Sequence, residues 1–403
     1  MIDTLATSIV SVPRTTGRIL RVLFCLAGVV PAVASAQSSP KAVRSPSVFA
    51  QPVSSALVLY DWQREHCETW DIPDAPLRAF RTAKNEVVAF VSDSKSRMFI
   101  GSGLTTIKHS CHSSFTSHVD SNPAHYDDLR YITATWTEDG THVVSLTHAE
   151  YHAEQFQGMC TQKSSEACWY NAVIGLTSSD GGNSFDSPTP PPLIAAPTFK
   201  QETEQGRHRG FFNPSNIVSS NGYWYAWINT TGGGSQPAGT CLFRTAKIKD
   251  LNSWMAYDGQ EFGSRAGDPY GSAAQPSVPC QPLNLHGPPS SVSYYPLAEM
   301  FIAVFQTGPH PEFPNGRIAY QWSQDLIHWS EDRTLLDVPT MGGGADCSLP
   351  YRYGYPSIAD PNSPSRNFDV ITKSPLLFLT RFHTDKCNLP PNRDLIAVPL
   401  TIG

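Results

Sequence analysis

The sequence predicts an all-β protein, and three observations carry that prediction. Short runs rich in Val, Ile, Tyr, Phe and Trp recur from Leu77 onward, among them EVVAFVS, RMFIGS, YITATWT, HVVSLTH, YWYAWIN, MFIAVFQ, RIAYQWS and LIAVPLT. Each is about five to eight residues long, the length and composition of a strand. The 34 Pro and 28 Gly residues interrupt nearly every window long enough for a helix. Finally, the runs follow one another in a repeated order, which points to one supersecondary unit used several times.

The first 36 of the 403 residues read as an export signal. Arg14, Arg18 and Arg21 form a positive flank, an apolar run covers Val22 to Val30, and Ala34-Ser35-Ala36 has the small-x-small form of a cleavage site. The apolar run is shorter than the roughly 20 residues that span a bilayer. The expected organisation is a signal peptide over 1–36, an N-terminal arm over 37–70 and one domain over 71–403, in a secreted or periplasmic protein. Beyond Cys25, in the signal, eight cysteines remain, and an even set in an exported chain favours disulfides. Cys160 with Cys168, Cys241 with Cys280 and Cys347 with Cys387 are the expected pairs. No CxxC spacing is present and the HxxxH of His148 and His152 has no identifiable distant ligand pair, so no metal ligand is assigned and no cofactor is expected, although a structural or channel calcium is compatible with the carboxylates.

Charged residues make up only 16% of the chain and the formal net charge is −6. That balance gives no electrostatic case for nucleic acid or for an anionic membrane after signal cleavage. The aromatic fraction of 11% and the many amides and turns suit a glycan partner better. Oligomeric state is not legible.

Five units account for residues 71–403. NPSNIVSSNGYWYAWIN leads to CLFRTAKIKDLNSW, and PPSSVSYYPLAEMFIAVFQ leads to RIAYQWSQDLIHW. DDLRYITATWTEDGTHVVSLTH leads through an insertion to YNAVIGLTSSDGGNSF; APLRAFRTAKNEVVAFVSDSKSRMFIGSG and YPSIADPNSPSRNFDVITKSPLLFLTR complete the set. Five units of about four strands each are what a five-bladed β-propeller needs, because blades packed radially leave only short edges.

SSDGGNSF (Ser178 to Phe185) resembles the Asp box of sialidase-like propellers, and SQDLIHW and IKDLNSW resemble the Asp-to-Trp turn of five-bladed glycoside hydrolases such as family 43. The resemblance implies that Asp180, Asp250 and Asp325 tie hairpins on the face away from the ligand, with Phe185, Trp254 and Trp329 packed between blades. Gly181 and Gly182 supply the positive φ such a turn requires.

In a propeller the functional face is lined by the starts of the innermost strands and the ends of the second strands. Those positions give Asp74 and Arg78, then Asp127, Asp128 and Arg130, then Asn213, Ser215 and Asn216, then Ser290 and Gln306, and last Tyr355, Ser357 and Arg381. The densest stretch is LTHAEYHAEQ, where alternation puts His148, Glu150 and His152 on one side of a strand and Tyr151 on the other. CWYNAV adds Trp169, Tyr170 and Asn171, as sugar contacts or as core. Glycoside hydrolysis needs two carboxyl groups flanking the bond. The family 43 resemblance implies a base at Asp74 and a tuning carboxylate at Asp128 or Asp127, but it meets Asn213 where the acid would stand, leaving Glu150 to supply it if its loop folds over the channel. The expected function is hydrolysis of a polysaccharide or oligosaccharide by Asp74, Asp128 and Glu150 beside His148, Tyr151 and His152. Arg78, Arg130, Trp169, Tyr170, Asn171, Asn213, Gln306 and Arg381 would contact substrate. Two alternatives stay open: a lyase on a uronate-containing glycan using His and Tyr, and a glycan-binding propeller without catalysis. TGGGSQPAG lacks the Lys-Ser/Thr of a phosphate loop, and Asn229-Thr230-Thr231 is a formal glycosylation sequon.

Overall fold

The computed structural model describes residues 45–91, 93–271, 278–344 and 346–403, so the expected export signal lies outside the described residues. β1 (Val48–Ala50) and β2 (Leu57–Tyr60) come first, followed by an α-helix of four residues, Trp62–Glu65. The first sheet is β3 (Arg78–Arg81), β4 (Val87–Phe90), β5 (Arg97–Gly101) and β6 (Lys108–Ser113), paired in sequence order. The second is β7 (Leu129–Thr137), β8 (Val143–His152), β9 (Trp169–Ser178) and β10 (Leu193–Ala195). A third contains β11 (Arg209–Phe212), β12 (Val218–Ser220), β13 (Tyr223–Thr230), β14 (Gly239–Thr245), β15 (Met255–Tyr257) and β16 (Phe262–Ser264). The fourth is β17 (Ser291–Tyr295), β18 (Met300–Thr307), β19 (Arg317–Ser323) and β20 (Arg333–Leu336). The fifth has β21 (Tyr351–Ala359), β22 (Leu376–His383) and β23 (Arg393–Ile402).

The fifth sheet is completed from the other end of the chain. β1 and β2 both pair antiparallel with β23, Val48 opposite Ile402 and Leu57 opposite Ala397. Val48, Leu59 and Tyr60 are buried there. The segment expected as an arm over 37–70 therefore contributes strands to the propeller, and a boundary at residue 71 cuts through the sheet. Alternation over so few residues is too short a signal to reveal such a strand.

Five apolar clusters close the ring. Phe80 and Phe90 pack with Ile174 and Phe185, joining the first sheet to the second; Trp136 and Val144 pack with Phe243 and Trp254; Trp227 packs with Phe301. Ile302 and Trp322 then meet Leu379 and Ile396, and Phe378 and Leu395 meet Val87 and Phe99 of the first sheet. Each cluster buries the facing surfaces of consecutive sheets, and the last returns to the first, which is the closure of a β-propeller. At the axis, Arg78 is buried with its guanidinium donating to carbonyls from three other sheets or the loops that lead into them: Thr133 at 2.5 Å, Pro214 at 3.2 Å and Ser290 at 2.7 Å.

The Asp turns are hairpin ties. Asp180 Oδ1 accepts the Ser178 hydroxyl at 2.8 Å and the Ser184 N–H at 2.9 Å between β9 and β10; Asp325 Oδ1 accepts the N–H groups of Ile327 and His328 between β19 and β20. Phe185 meets Phe90 edge-on at 5.8 Å and Trp329 meets Trp227 at 5.8 Å, each across to the preceding sheet. Four disulfides are formed, Cys67–Cys111, Cys160–Cys168, Cys241–Cys280 and Cys347–Cys387, two of them tying a loop to a strand, at Cys111 in β6 and Cys241 in β14. No helix among the described residues is long and apolar enough to cross a membrane.

One connection departs from simple repetition. β11 pairs in parallel with β9, Gly210 opposite Asn171, and antiparallel with β13, so the second and third sheets are continuous. Gly210 permits this: its φ is +129°, and a Cβ there would lie 2.1 Å from the Asn171 carbonyl oxygen.

Candidate functional site

The seam between β8, β9 and β11 carries the candidate site. Strand alternation and register set out a grid of side chains: His152 opposite Trp169, Glu150 opposite Asn171 and His148 opposite Val173. On the far side of β9, Arg209 lies opposite Tyr170, which brings His208 beside Trp169. Trp169 stands between two imidazoles, stacked on His208 at 4.2 Å and on His152 at 5.0 Å between ring centroids. Glu150 lies between His152 and a third imidazole: its Oε2 is 3.0 Å from His152 Nε2 and its Oε1 is 3.5 Å from His148 Nδ1.

Asp74 approaches from the loop before β3. Its Oδ1 accepts the Tyr355 hydroxyl at 3.0 Å and is ion-paired with Arg393. Tyr355 sits in a bulge of β21, where the register against β22 shifts between Gly354 and Ser357, with φ +53°. A bulky residue at positive φ is unusual, and bulges of this kind re-aim side chains. The Tyr355 N–H donates to Gln306 Oε1 at 3.0 Å, which ties the fourth sheet to the same place.

The electrostatics divide these groups. Burial raises the Glu150 pKa, with the Asp74 and Asp128 charges adding to it, against the lowering effect of the His152 hydrogen bond. Asp128 is pushed up to about 6, mainly by burial, although its Oδ2 accepts the His152 N–H at 2.8 Å; its Oδ1 has no hydrogen-bond partner. Burial lowers His148 to about 3 and His208 to about 4, and the His152 charge adds to both. For His152, burial is outweighed by the Glu150 hydrogen bond and the neighbouring carboxylates, so its pKa rises. The arrangement therefore gathers two imidazoles of lowered pKa, one of raised pKa and a carboxyl group of raised pKa, the last two coupled to each other.

Several residues assigned from sequence lie elsewhere or have other partners. Tyr151 faces away, as alternation requires, stacked on Phe156 and donating to the Ser121 carbonyl at 2.8 Å; it is removed from the catalytic set. Arg78 is engaged by backbone carbonyls at the axis, and Arg130 by the Tyr126 and His125 carbonyls and Ser187, so neither guanidinium is directed at a ligand. Tyr170 is core, with its hydroxyl on the Phe199 carbonyl. Arg381 is paired with Asp394 at 2.6 Å. Trp169 has an imidazole from each flanking strand against its ring, which leaves no face for a sugar. Asn171 is fully buried and bonded to His148 and His208, while Asn213 is exposed after β11 with φ +51°. His208, Arg393 and Tyr131, which lies 6.3 Å from His148, were not anticipated. His208 is brought in only by the parallel β9–β11 pairing, which leaves no periodic trace; Arg393 pairs with a residue 319 positions away.

Among the described residues, two groups of side chains elsewhere have metal-like spacing. Cys67, Asp71 and His109 form one, but Cys67 is in a disulfide; His286, Glu331 and Asp332 form the other, where Arg317 already pairs with Asp332. Clefts of about 410 Å³, beside Trp136 and Lys249, and about 280 Å³, beside Asp180 and Lys84, open at the Asp-turn ends of β8 and β9. Neither is lined by a buried carboxyl group. The chemistry of the Glu150 end is the better guide.

No family model matches the chain, and no curated protein is similar to it in sequence. Solved structures similar to it include a thermostable family-43 glycoside hydrolase (9% identity, 84% of this chain and 91% of that one, TM-score 0.42). A putative exo-β-1,3-galactanase from Bifidobacterium bifidum s17 is 12% identical over 88% of this chain and 93% of that one, with a TM-score of 0.45. An α-L-arabinofuranosidase from Podospora anserina, in complex with cellotriose, is 7% identical over 85% and 95%, with a TM-score of 0.45. Likeness at this level carries neither activity nor substrate to the present chain.

Proposed function

We propose that this protein is an exported glycan-active enzyme that hydrolyses glycosidic bonds, with Glu150 as general acid and Asp74 as the opposed carboxylate. One observation carries the reading. Two carboxyl groups from different blades act on each other electrostatically at one mouth of the propeller, and they stand in different surroundings. Asp74 is held beside the Arg393 guanidinium and the Tyr355 hydroxyl, whereas Glu150 is buried and its pKa is raised, the Asp74 and Asp128 charges adding to burial. Pairs of acids with divergent surroundings supply the acid and the base or nucleophile of glycosidase chemistry. Glu150 would protonate the leaving oxygen, and Asp74 would activate water or attack the anomeric carbon. Four disulfides, together with the Arg14–Ala36 segment, support export.

The lyase reading loses two of its groups, because Tyr151 points away and His148 is a weak base in its buried place. The test is reducing-end release from a panel of plant, algal and bacterial glycans by the wild type, Glu150→Gln and Asp74→Asn. Loss of at least about 10²-fold in each variant, with folding retained, is expected. Unsaturated uronate in the product would replace the hydrolase with a lyase. Saturable binding with no product would leave only a lectin.

A further inference from the structure

Beneath Glu150 lies a hydrogen-bonded chain that the acid-base assignment does not use. Asn171 is fully buried and sits directly across from Glu150 in the β8–β9 register. Its Oδ1 is 2.8 Å from His208 Nε2, and its Nδ2 is hydrogen-bonded to His148 Nε2. With the amide oriented this way, His208 donates from Nε2 and His148 accepts at Nε2. The proton of neutral His148 is then on Nδ1, the nitrogen 3.5 Å from Glu150 Oε1. The far end is also fixed: the His208 ring is stacked on Trp169 at 4.2 Å and 16° and lies 4.8 Å from Phe212. The backbone of Gly210 seats Asn171 at a distance no side chain would allow.

We propose that Asn171 and His208 are positioning residues: through His148 they fix which imidazole nitrogen faces Glu150 and so orient the proposed acid. The catalytic consequence rests on the glycosidase reading; the tautomer assignment does not. A tautomer is set by the hydrogen bond at the other nitrogen, and an amide that cannot leave its site sets it firmly. The groups whose charges or hydrogen bonds act on Glu150 come from every neighbouring element: Asp74 before β3, Asp128 before β7, Tyr131 on β7, His148 and His152 on β8, and Tyr355 on β21. Of these, only His148 is joined to the β9–β11 seam through Asn171.

The test combines long-range nitrogen–proton NMR of histidine-labelled protein with kinetics for the wild type, Asn171→Leu, His208→Phe and His208→Gln; His148→Gln identifies the resonance. The wild type is expected to show His148 protonated on Nδ1. Asn171→Leu and His208→Phe move that proton to Nε2 or leave a mixture, and His208→Gln, which keeps a donor for the Asn171 carbonyl, retains the wild-type tautomer. On a hydrolysed glycan, kcat falls about tenfold to a hundredfold in the first two variants at unchanged KM, less than removal of the acid itself. The alkaline limb of their pH profile moves up, because Glu150 has lost a donor to its carboxylate. An unchanged His148 tautomer in both variants overturns the proposal, as does a fall in Tm with the pH profile unmoved. A changed tautomer in a chain that hydrolyses no glycan would keep the hydrogen-bonded chain and discard the glycosidase.

Discussion

Glu150 Oε2 lies 3.0 Å from His152 Nε2, and each side chain is 13% exposed. Two groups so placed share a proton as a unit, and the macroscopic pH behaviour belongs to the pair. His152→Phe keeps a ring against Trp169 and removes the imidazole that lowers the Glu150 pKa. The acid is then easier to protonate, so the alkaline limb of kcat/KM moves to higher pH, while kcat at the optimum changes by less than about tenfold. A profile that stays in place would show that His152 does not govern Glu150.

His148 and His208 set an acid limit on stability. Both have folded pKa values below the ordinary 6.5, at about 3 and about 4. Between pH 6.5 and those values the unfolded chain binds more protons than the folded one, so stability falls as pH falls through that window. At pH 4 each group contributes a loss on the order of a few kcal/mol relative to pH 7. Urea denaturation of the wild type and His148→Gln at pH 7 and pH 4 checks this. The variant is expected to lose less stability between the two pH values, and parallel losses would refute the assignment.

The fold was readable where side-chain periodicity records it, and the site only in part. SSDGGNSF and SQDLIHW marked the hairpins correctly because a tight turn and its aromatic anchor are local, encoded within eight residues. HAEYH placed His148, Glu150 and His152 on one face for the same reason. What could not be read were relations made by closure and by pairing across blades. β1 and β2 complete the last sheet from the opposite end of the chain, Arg393 reaches Asp74, and His208 reaches Asn171 only because Gly210 lets β11 approach β9 in parallel. Charge misled in one respect: Arg78 and Arg130 stand at positions near the channel but are buried among backbone carbonyls, a use of arginine that composition cannot distinguish from ligand binding.

Asp180→Ala tests the hairpin role. The carboxylate accepts bonds from Ser178, the Ser184 N–H and the Ser184 hydroxyl. Losing them from a partly solvated turn costs about 1–2 kcal/mol, as for a helix cap. The expected result is a modest fall in Tm with kcat and KM unchanged, since the turn lies at the other end of β9 from Trp169 and Asn171. A variant of full stability and no activity would return Asp180 to the catalytic candidates.

Arg78 offers the sharpest separation of a structural from a ligand-binding guanidinium. It is buried, and burial without a carboxylate partner lowers its pKa to about 9. Its donors hold carbonyls of Leu77, Thr133, Pro214 and Ser290, so one side chain ties together backbone from the first four blades. Arg78→Met would leave those carbonyls without their donor in a buried centre, a loss of at least about 3 kcal/mol. Arg78→Lys keeps a charge but not the planar fork, and should fall between the two in urea midpoint. Both variants that remain folded are expected to retain the wild-type KM for glycan. A raised KM in Arg78→Lys at undiminished stability would instead place the guanidinium against substrate, and the axis would then be open to ligand rather than closed by the chain itself.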